Sequence, residues 1–425
     1  MNNAIRNLIT PDRCPAFARG MLAYGSAEAA TRIVRLGAIL IVARQISPVM
    51  LGTAALALSL FELIRVLTSV GIGQRIIVAQ DEELESICRT ASRLFWTVCL
   101  GVMLIQLIVA AIALYAFGLD EAAAMLAALS LVYPLMPAGL VQIFLAMRAQ
   151  RMGATARVAA AQNIADSLLT IALVIVWPSA WAIVLPKLLT APVWLVLARR
   201  THSWSPDPAV TCAPANAFAV FGPAILGSAM LDAARLHADK LLVGALLGTE
   251  ALGLYYFAFN AGLGITQSLV SACNLVLFPH LAKTSRSALD NEFRLAFLGG
   301  LAVLAPIVAA QILLAPFYVP VVFGDKWIAA TPYLVLLACA ALPLFIGSMI
   351  GARYRALEKP YAETGLMAVA TASGLIGLTW GAQFSLQSAC IGFSTGLAII
   401  LVPAAIAQLI ATKPNSQVKL EGEFS

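Results

Sequence analysis

Charge is what this 425-residue chain has least of. Asp, Glu, Lys and Arg make up 11% of it, against 61% hydrophobic residues and a mean hydropathy of +0.90. A water-soluble fold of this length could not cover so much apolar surface, which excludes an ordinary soluble enzyme or binding domain. Histidine is scarce as well: His202, His237 and His280 are the only three, at no metal-ligand spacing. The seven cysteines (Cys14, Cys88, Cys99, Cys212, Cys273, Cys339 and Cys390) form no CxxC pair. Neither a disulfide framework nor a metal site is expected. P-loop, GxSxG and HExxH patterns are missing too. The chain is therefore expected not to be an enzyme and to carry no cofactor.

What is there is a succession of long apolar runs. Twelve of them, at about 20–43, 50–73, 94–117, 122–147, 158–177, 180–198, 218–246, 251–279, 295–317, 329–352, 361–382 and 386–411, approach or exceed the roughly 20 residues that cross a bilayer as a helix. The expectation is an all-α integral membrane protein of about twelve transmembrane helices. Nineteen of the 27 Lys and Arg fall on loops of one side, whereas only Arg44 and Lys326 fall on loops of the other. That bias predicts a multi-pass protein of a cytoplasmic membrane with both termini in the cytoplasm. The net charge of +6 is spread over many short loops, which argues against a nucleic-acid partner. Pro11, Asp12, Arg13 and Pro15 interrupt the N-terminus, so no cleavable signal peptide is expected. The acidic run Asp81–Glu85 reads as a solvated helix start whose carboxylates have no partner.

The chain also repeats itself. Residues 42–52 (VARQISPVMLG) and 243–253 (VGALLGTEALG) align at an offset of 201, matching Val42 to Val243, Leu51 to Leu252 and Gly52 to Gly253. This predicts two six-helix lobes, 1–200 and 218–412, joined by a cytoplasmic linker at 201–217 and followed by a tail at 413–425.

A few charges lie inside the apolar runs, where each costs about 2.5–3.5 kcal/mol near the bilayer centre. Glu28, Arg32 and Arg35 share a stripe of the first helix, Ser59, Glu62, Arg65 and Ser69 one face of the second, and Ser228, Asp232, Arg235 and Asp239 one face of the seventh. Milder polar stripes run along the fifth (Asn163, Asp166, Thr170) and the eighth (Asn260, Gln267, Ser271, Asn274). One-sided polarity on five helices implies a shared water-filled cavity. The bland reading is internal ion pairing, as in Glu28–Arg32 or Asp232–Arg235, with Lys187 and Lys240 reaching to the membrane surface. Arg32, Arg35 and Arg65 outnumber Glu28 and Glu62, however, and a spare guanidinium matches two phosphate oxygens at once.

The stretches Gly25-Ser26, Arg32, ARQISPVMLGTAALALS (43–59), GIGQRII (71–77) and ADKLLVGALLGTEALGLYYFAFNAG (238–262) resemble the polysaccharide-transporter branch of the multidrug/oligosaccharidyl-lipid/polysaccharide exporters. The chain departs from that pattern at His237 and Ala238, just ahead of Asp239-Lys240. The resemblance implies two lobes forming a V around a central cationic cavity. It also implies a flippase that moves undecaprenyl-diphosphate-linked oligosaccharide from the cytoplasmic to the periplasmic leaflet of a bacterial inner membrane by alternating access, in exopolysaccharide, capsule or O-antigen (lipopolysaccharide) synthesis. Arg32, Arg35, Arg65 and Arg235 are then expected to hold the diphosphate, while Glu28, Glu62, Asp166, Asp232 and Asp239 tune them or couple to a cation.

Expected partners are the lipid-linked oligosaccharide, membrane lipids, and a polysaccharide polymerase and glycosyltransferases. Energy would come from an H+ or Na+ gradient or the membrane potential. The alternative is a cation-coupled exporter of drugs or other small molecules on the same fold, whose cavity should be richer in carboxylates and aromatics. A membrane-embedded polymerase would need a long extracytoplasmic loop, and a scaffold would need no charges inside its spans.

Overall fold

The computed structural model describes residues 31 and 34–411, apart from 208, 215–217, 219–221 and, between 265 and 283, all but 266, 270, 277 and 281. Glu28 and Arg32, with Gln267, Ser271 and Asn274 of the eighth-helix stripe, lie outside the described residues. The described chain is almost wholly helical. After a helix over 34–45 (α1) come α2 (Pro48–Arg65), α3 (Ile72–Val78), α4 (Leu84–Tyr115), α5 (Asp120–Leu129), α6 (Pro137–Arg148), α7 (Met152–Val176), α8 (Trp181–Leu189) and α9 (Ala191–Arg199). Then follow α10 (Gly222–Ala258), α11 (Arg286–Tyr318), α12 (Thr331–Ala356), α13 (Pro360–Ala382) and α14 (Leu386–Ala411).

Among the described residues nine helices are long and apolar enough to cross a membrane. The pair Asp120–Val132 and Pro137–Arg148, bent by 58°, makes a tenth. The bend falls at Pro134 and Pro137, which supply no backbone N–H to continue the ladder. One of the nine, Ile225–Leu263, would be about 58 Å long if straight, twice the hydrocarbon thickness. It is broken at Gly248, whose φ of 85° and ψ of 177° suit a residue without Cβ. Two membrane-crossing segments therefore meet in a turn of minimal length. The protein is a multi-span membrane protein, and its lipid-facing side chains are correspondingly apolar: Leu104, Leu313, Ile376, Trp380 and Ile399 are all exposed.

The described residues fall into two compact units. One runs to Ile46 and resumes over Thr53–His237; the other holds Ser47–Gly52 and everything from Ala238 onward. The division lies inside α10, and the connection over 201–217 belongs to the first unit. Its described residues are fastened to the start of α4. The Trp204 indole donates to both Glu85 carboxylate oxygens at 3.1 and 3.0 Å, Arg89 donates to the Val210 carbonyl, and the Thr90 hydroxyl donates to the Ala213 carbonyl at 3.0 Å.

The acidic run is likewise tied down. Asp81 accepts from Arg148 at 2.5 Å and Glu83 from Arg75 at 3.2 Å. The expectation of partnerless carboxylates there is corrected: the helix begins at this point, but its acids clip α3, α6 and the connection onto α4. The second unit has a comparable fastening, in which Arg353 near the end of α12 meets Asp290 of α11 at 2.6 Å and Gln408 of α14.

Each unit has its own core. In the first, Phe61, Val102, Met125, Leu126, Leu129 and Val184 pack around Tyr133, which is fully buried. Its hydroxyl donates to Gln106 Oε1 at 2.7 Å, and Gln106 Nε2 donates to the Leu126 carbonyl at 2.7 Å, so the embedded polar atoms are satisfied locally. In the second, Phe257 stacks on Trp327 with centroids 4.1 Å apart and meets Phe323 edge-on at 4.9 Å. Helices α13 and α14 approach so closely that a Cβ on Gly377 or Gly392 would strike the other's backbone.

Removing one partner of the Gln106–Tyr133 bond strands the other in an apolar core. Gln106→Leu should destabilise the protein by about 1–3 kcal/mol, and adding Tyr133→Phe should recover part of that loss. Unfolding midpoints in detergent for the two single variants and the double check both statements.

Candidate functional site

The first unit holds a four-residue charge cluster built from three helices. Glu62 and Arg65 stand one turn apart on α2, so the guanidinium folds back on its own helix and donates to Glu62 Oε2 through Nε at 2.9 Å and Nη2 at 2.6 Å. The other Glu62 oxygen, Oε1, faces Lys187 Nζ of α8 at 3.7 Å, and the same ammonium lies 3.9 Å from Asp166 Oδ2 of α7. Lys187 thus stands between two carboxylates on different helices. The side chains of Glu62, Asp166 and Lys187 are 20%, 26% and 33% exposed, so the cluster is reachable rather than sealed.

Lys187 corrects the expectation that it reaches to the membrane surface. It is seven residues into the Trp181–Arg199 span, and Pro186 before it belongs to the same helix. A lysine that deep in a span, with two carboxylates elsewhere in the same half of the sequence, is the signal that spacing along one helix does not carry. Asp166 has a second peculiarity. Its Oδ1 is enclosed and has no hydrogen-bond partner among the described residues.

Other expected site residues take varied positions. Arg35 on α1 is exposed, and its charge acts on Asp166 without a salt bridge between them. Arg235 pairs loosely with Asp232 at 3.4 Å on the first half of α10, both exposed, while His237 one turn on acts electrostatically on Glu62. Asp239 belongs to the second unit and is 1% exposed. Both its oxygens lie 3.1 Å from Lys240 Nζ, and Tyr255 donates its hydroxyl to Oδ2 at 2.9 Å. Lys240, 4% exposed, also lies over the Phe259 ring at 3.7 Å. It is a buried strut between the two halves of α10, not the surface-reaching lysine expected.

Counted over the described residues of the first unit, Arg35, Arg65, Lys187 and Arg235 face Glu62, Asp166 and Asp232. Four cations oppose three carboxylates. The surplus sits at membrane depth, where a neutral cluster would be the economical arrangement. Chemically the group can exchange one ion pair for another: an anion arriving at Arg35 or Arg65 competes with Glu62 for guanidinium hydrogen bonds. No group of three or more His, Cys, Asp or Glu side chains suited to a metal occurs among the described residues.

The chain can now be set beside known proteins. Residues 41–332 match the family model described as "Polysaccharide biosynthesis protein". The chain is 24% identical over 308 residues to the succinoglycan biosynthesis transport protein ExoT of Rhizobium meliloti, a match covering 70% of this chain and 60% of that one. It is 28% identical over 134 residues to the teichuronic acid biosynthesis protein TuaB of Bacillus subtilis, over 30% and 27% of the two chains. It thus spans less than two thirds of the length of either relative.

Among solved structures, the lipid II flippase MurJ in an inward closed conformation matches with a TM-score of 0.75 at 11% identity, covering 92% of this chain and 88% of that one. An inward-facing multidrug resistance MATE family transporter matches at 0.65 and 14%, covering 90% and 94%. At such identities the likeness is one of fold. These findings bear out the resemblance carried by residues 43–59, 71–77 and 238–262. Since the family model takes in well over half of the sequence, the chain belongs to the polysaccharide biosynthesis protein family.

Proposed function

We propose that this protein is a flippase that carries undecaprenyl-diphosphate-linked oligosaccharide repeat units from the cytoplasmic to the periplasmic leaflet of a bacterial inner membrane, by alternating access between the two faces. The observation that carries the reading is the cationic surplus of Arg35, Arg65, Lys187 and Arg235 over Glu62, Asp166 and Asp232 inside the spans of a polysaccharide biosynthesis protein. Arg35 and Arg65 engage the diphosphate, together with Arg32 and Arg235. Glu62 and Asp166 hold Lys187 in place and release it as the anion enters; Glu28 and Asp232 balance the remaining cations. Asp239 is the buried acid of the strut with Lys240, through which a coupled cation would act on the second unit.

The relatives named for succinoglycan transport and teichuronic acid synthesis support an acidic or otherwise bulky glycan as cargo. A polymerase and glycosyltransferases are the natural partners on either side of such a step, and no catalytic chemistry is assigned to the chain itself. The membrane potential suffices as a driving force, because moving one negative charge outward releases about 2.3 kcal/mol per 100 mV. The reading as an exporter of small cationic molecules is weaker, since a cation would enter a site already holding more positive than negative charge.

Depleting the protein should leave lipid-linked repeat units accumulating on the cytoplasmic leaflet. Complementation with Arg35→Ala plus Arg65→Ala should restore export at no more than about a tenth of the parent rate, a loss of about 1.4 kcal/mol or more. Collapsing the potential should slow the parent too. Full-rate export by a normally inserted double variant contradicts the assignment.

The Lys187 bridge should matter to transport more than to folding. With the ammonium a third exposed and 3.9 Å from Asp166, a double-mutant cycle of Lys187→Gln and Asp166→Asn should give a stability coupling below about 1 kcal/mol. Lys187→Gln alone should still impair export severely.

A further inference from the structure

The repeat noted in the sequence returns as a contact. In the second unit the first turn of α2 lies against residues 249–253, which directly follow the Gly248 break of α10. A Cβ on Gly52 would collide with the Thr249 carbonyl oxygen and come within 2.9 Å of Gly253 N. A Cβ on Gly253 would collide with the Pro48 carbonyl oxygen and come within 3.1 Å of Gly52 N. The pairs are exchanged: Pro48 corresponds to Thr249 and Gly52 to Gly253, both at the offset of 201 that aligns Val42 with Val243. Each helix thus offers a glycine to the carbonyl that begins the other, as two copies of one segment meeting about a local two-fold would.

Three properties of this crossing bear on its use. It is backbone on backbone, so nothing larger than hydrogen fits between the helices, and a closed crossing excludes water and solute alike. It joins two helix N-termini, whose like dipole ends repel, and neither glycine has a side chain to fasten it. The contact is therefore tight when made but weakly held.

Its two sides are also mounted differently. Residues 249–253 stand on the hairpin braced by the Asp239–Lys240–Tyr255 strut. Ser47–Gly52 instead groups with the second unit, while the rest of its own helix, from Thr53 onward, groups with the first. One helix is anchored near the crossing, and the other changes allegiance one residue past its glycine.

We infer that the Gly52–Gly253 crossing is the extracytoplasmic gate of the transport cycle, shut in this structure and parting when cargo leaves. The inference rests on the transport reading above and on the sidedness given by the Lys and Arg distribution. Glycine is required at both positions because any side chain props the gate ajar.

The test uses the full chain in cells, with native cysteines replaced and one reporter, Ser59→Cys, two turns past Gly52 on the same face of α2 and 1% exposed. A membrane-impermeant maleimide added outside should label it slowly with both glycines intact. Labelling should be severalfold faster with Gly52→Ala or Gly253→Ala. Variants that insert at the parent level and label no faster overturn the inference.

A second measurement does not depend on how the alanine variants fold. Cysteines at Pro48 and Thr249, bridged by a short bifunctional methanethiosulfonate, should stop export, and reductive cleavage should restore it. Export at full rate from fully bridged protein also overturns the gate. Labelling needs no cargo, so faster labelling in a protein whose depletion leaves lipid-linked glycans undisturbed would uphold the gate and refute the cargo.

Discussion

A charge in hydrocarbon must be neutralised by protein or water, and the arrangement of both units follows from how that demand is met. In the first unit, Lys187 spans from Glu62 to Asp166 and so draws α2, α7 and α8 together around a polar cluster that remains open. In the second, Lys240, Asp239 and Tyr255 satisfy one another and shut water out. The same chemistry gives opposite outcomes: an exposed, loosely paired group free to exchange partners, and a buried one that locks a hairpin. Only the former has a use for incoming anions.

Much of this was legible in the sequence where a single helix carries the information. The stripe Ser59, Glu62, Arg65 fixed one face of α2, and the Glu62–Arg65 pair is local by construction. Asp166 was flagged because a carboxylate within an apolar run is costly wherever it points. Spacing along a helix says which residues share a face but not what covers that face. Asp232, Arg235 and Asp239 share a stripe, yet the first two are exposed and the last is buried, because Tyr255 and Phe259 return across it after the Gly248 turn. Lys187 escaped for the same reason. Its partners lie on two other helices, far off in sequence, and a lone lysine in a run reads as one that reaches to the interface.

The loops show a related blindness. Asp81–Glu85 has the composition of a solvated helix start and is one, but Arg75, Arg148 and Trp204 use its acids as fasteners. Arginines that set topology during insertion are thus reused in the finished fold, Arg148 in one unit and Arg353 in the other. The repeat at an offset of 201, faint as sequence, gains weight because its two glycines meet across each other's first carbonyl.

The account stands or falls on whether the membrane-embedded cations recognise an anionic headgroup. Binding of undecaprenyl diphosphate and of uncharged undecaprenol to the purified protein in nanodiscs, by native mass spectrometry, asks this directly. Arg35→Gln with Arg65→Gln should weaken diphosphate binding by about tenfold or more and leave undecaprenol binding unchanged. Equal loss for both lipids, or no loss for either, would contradict it.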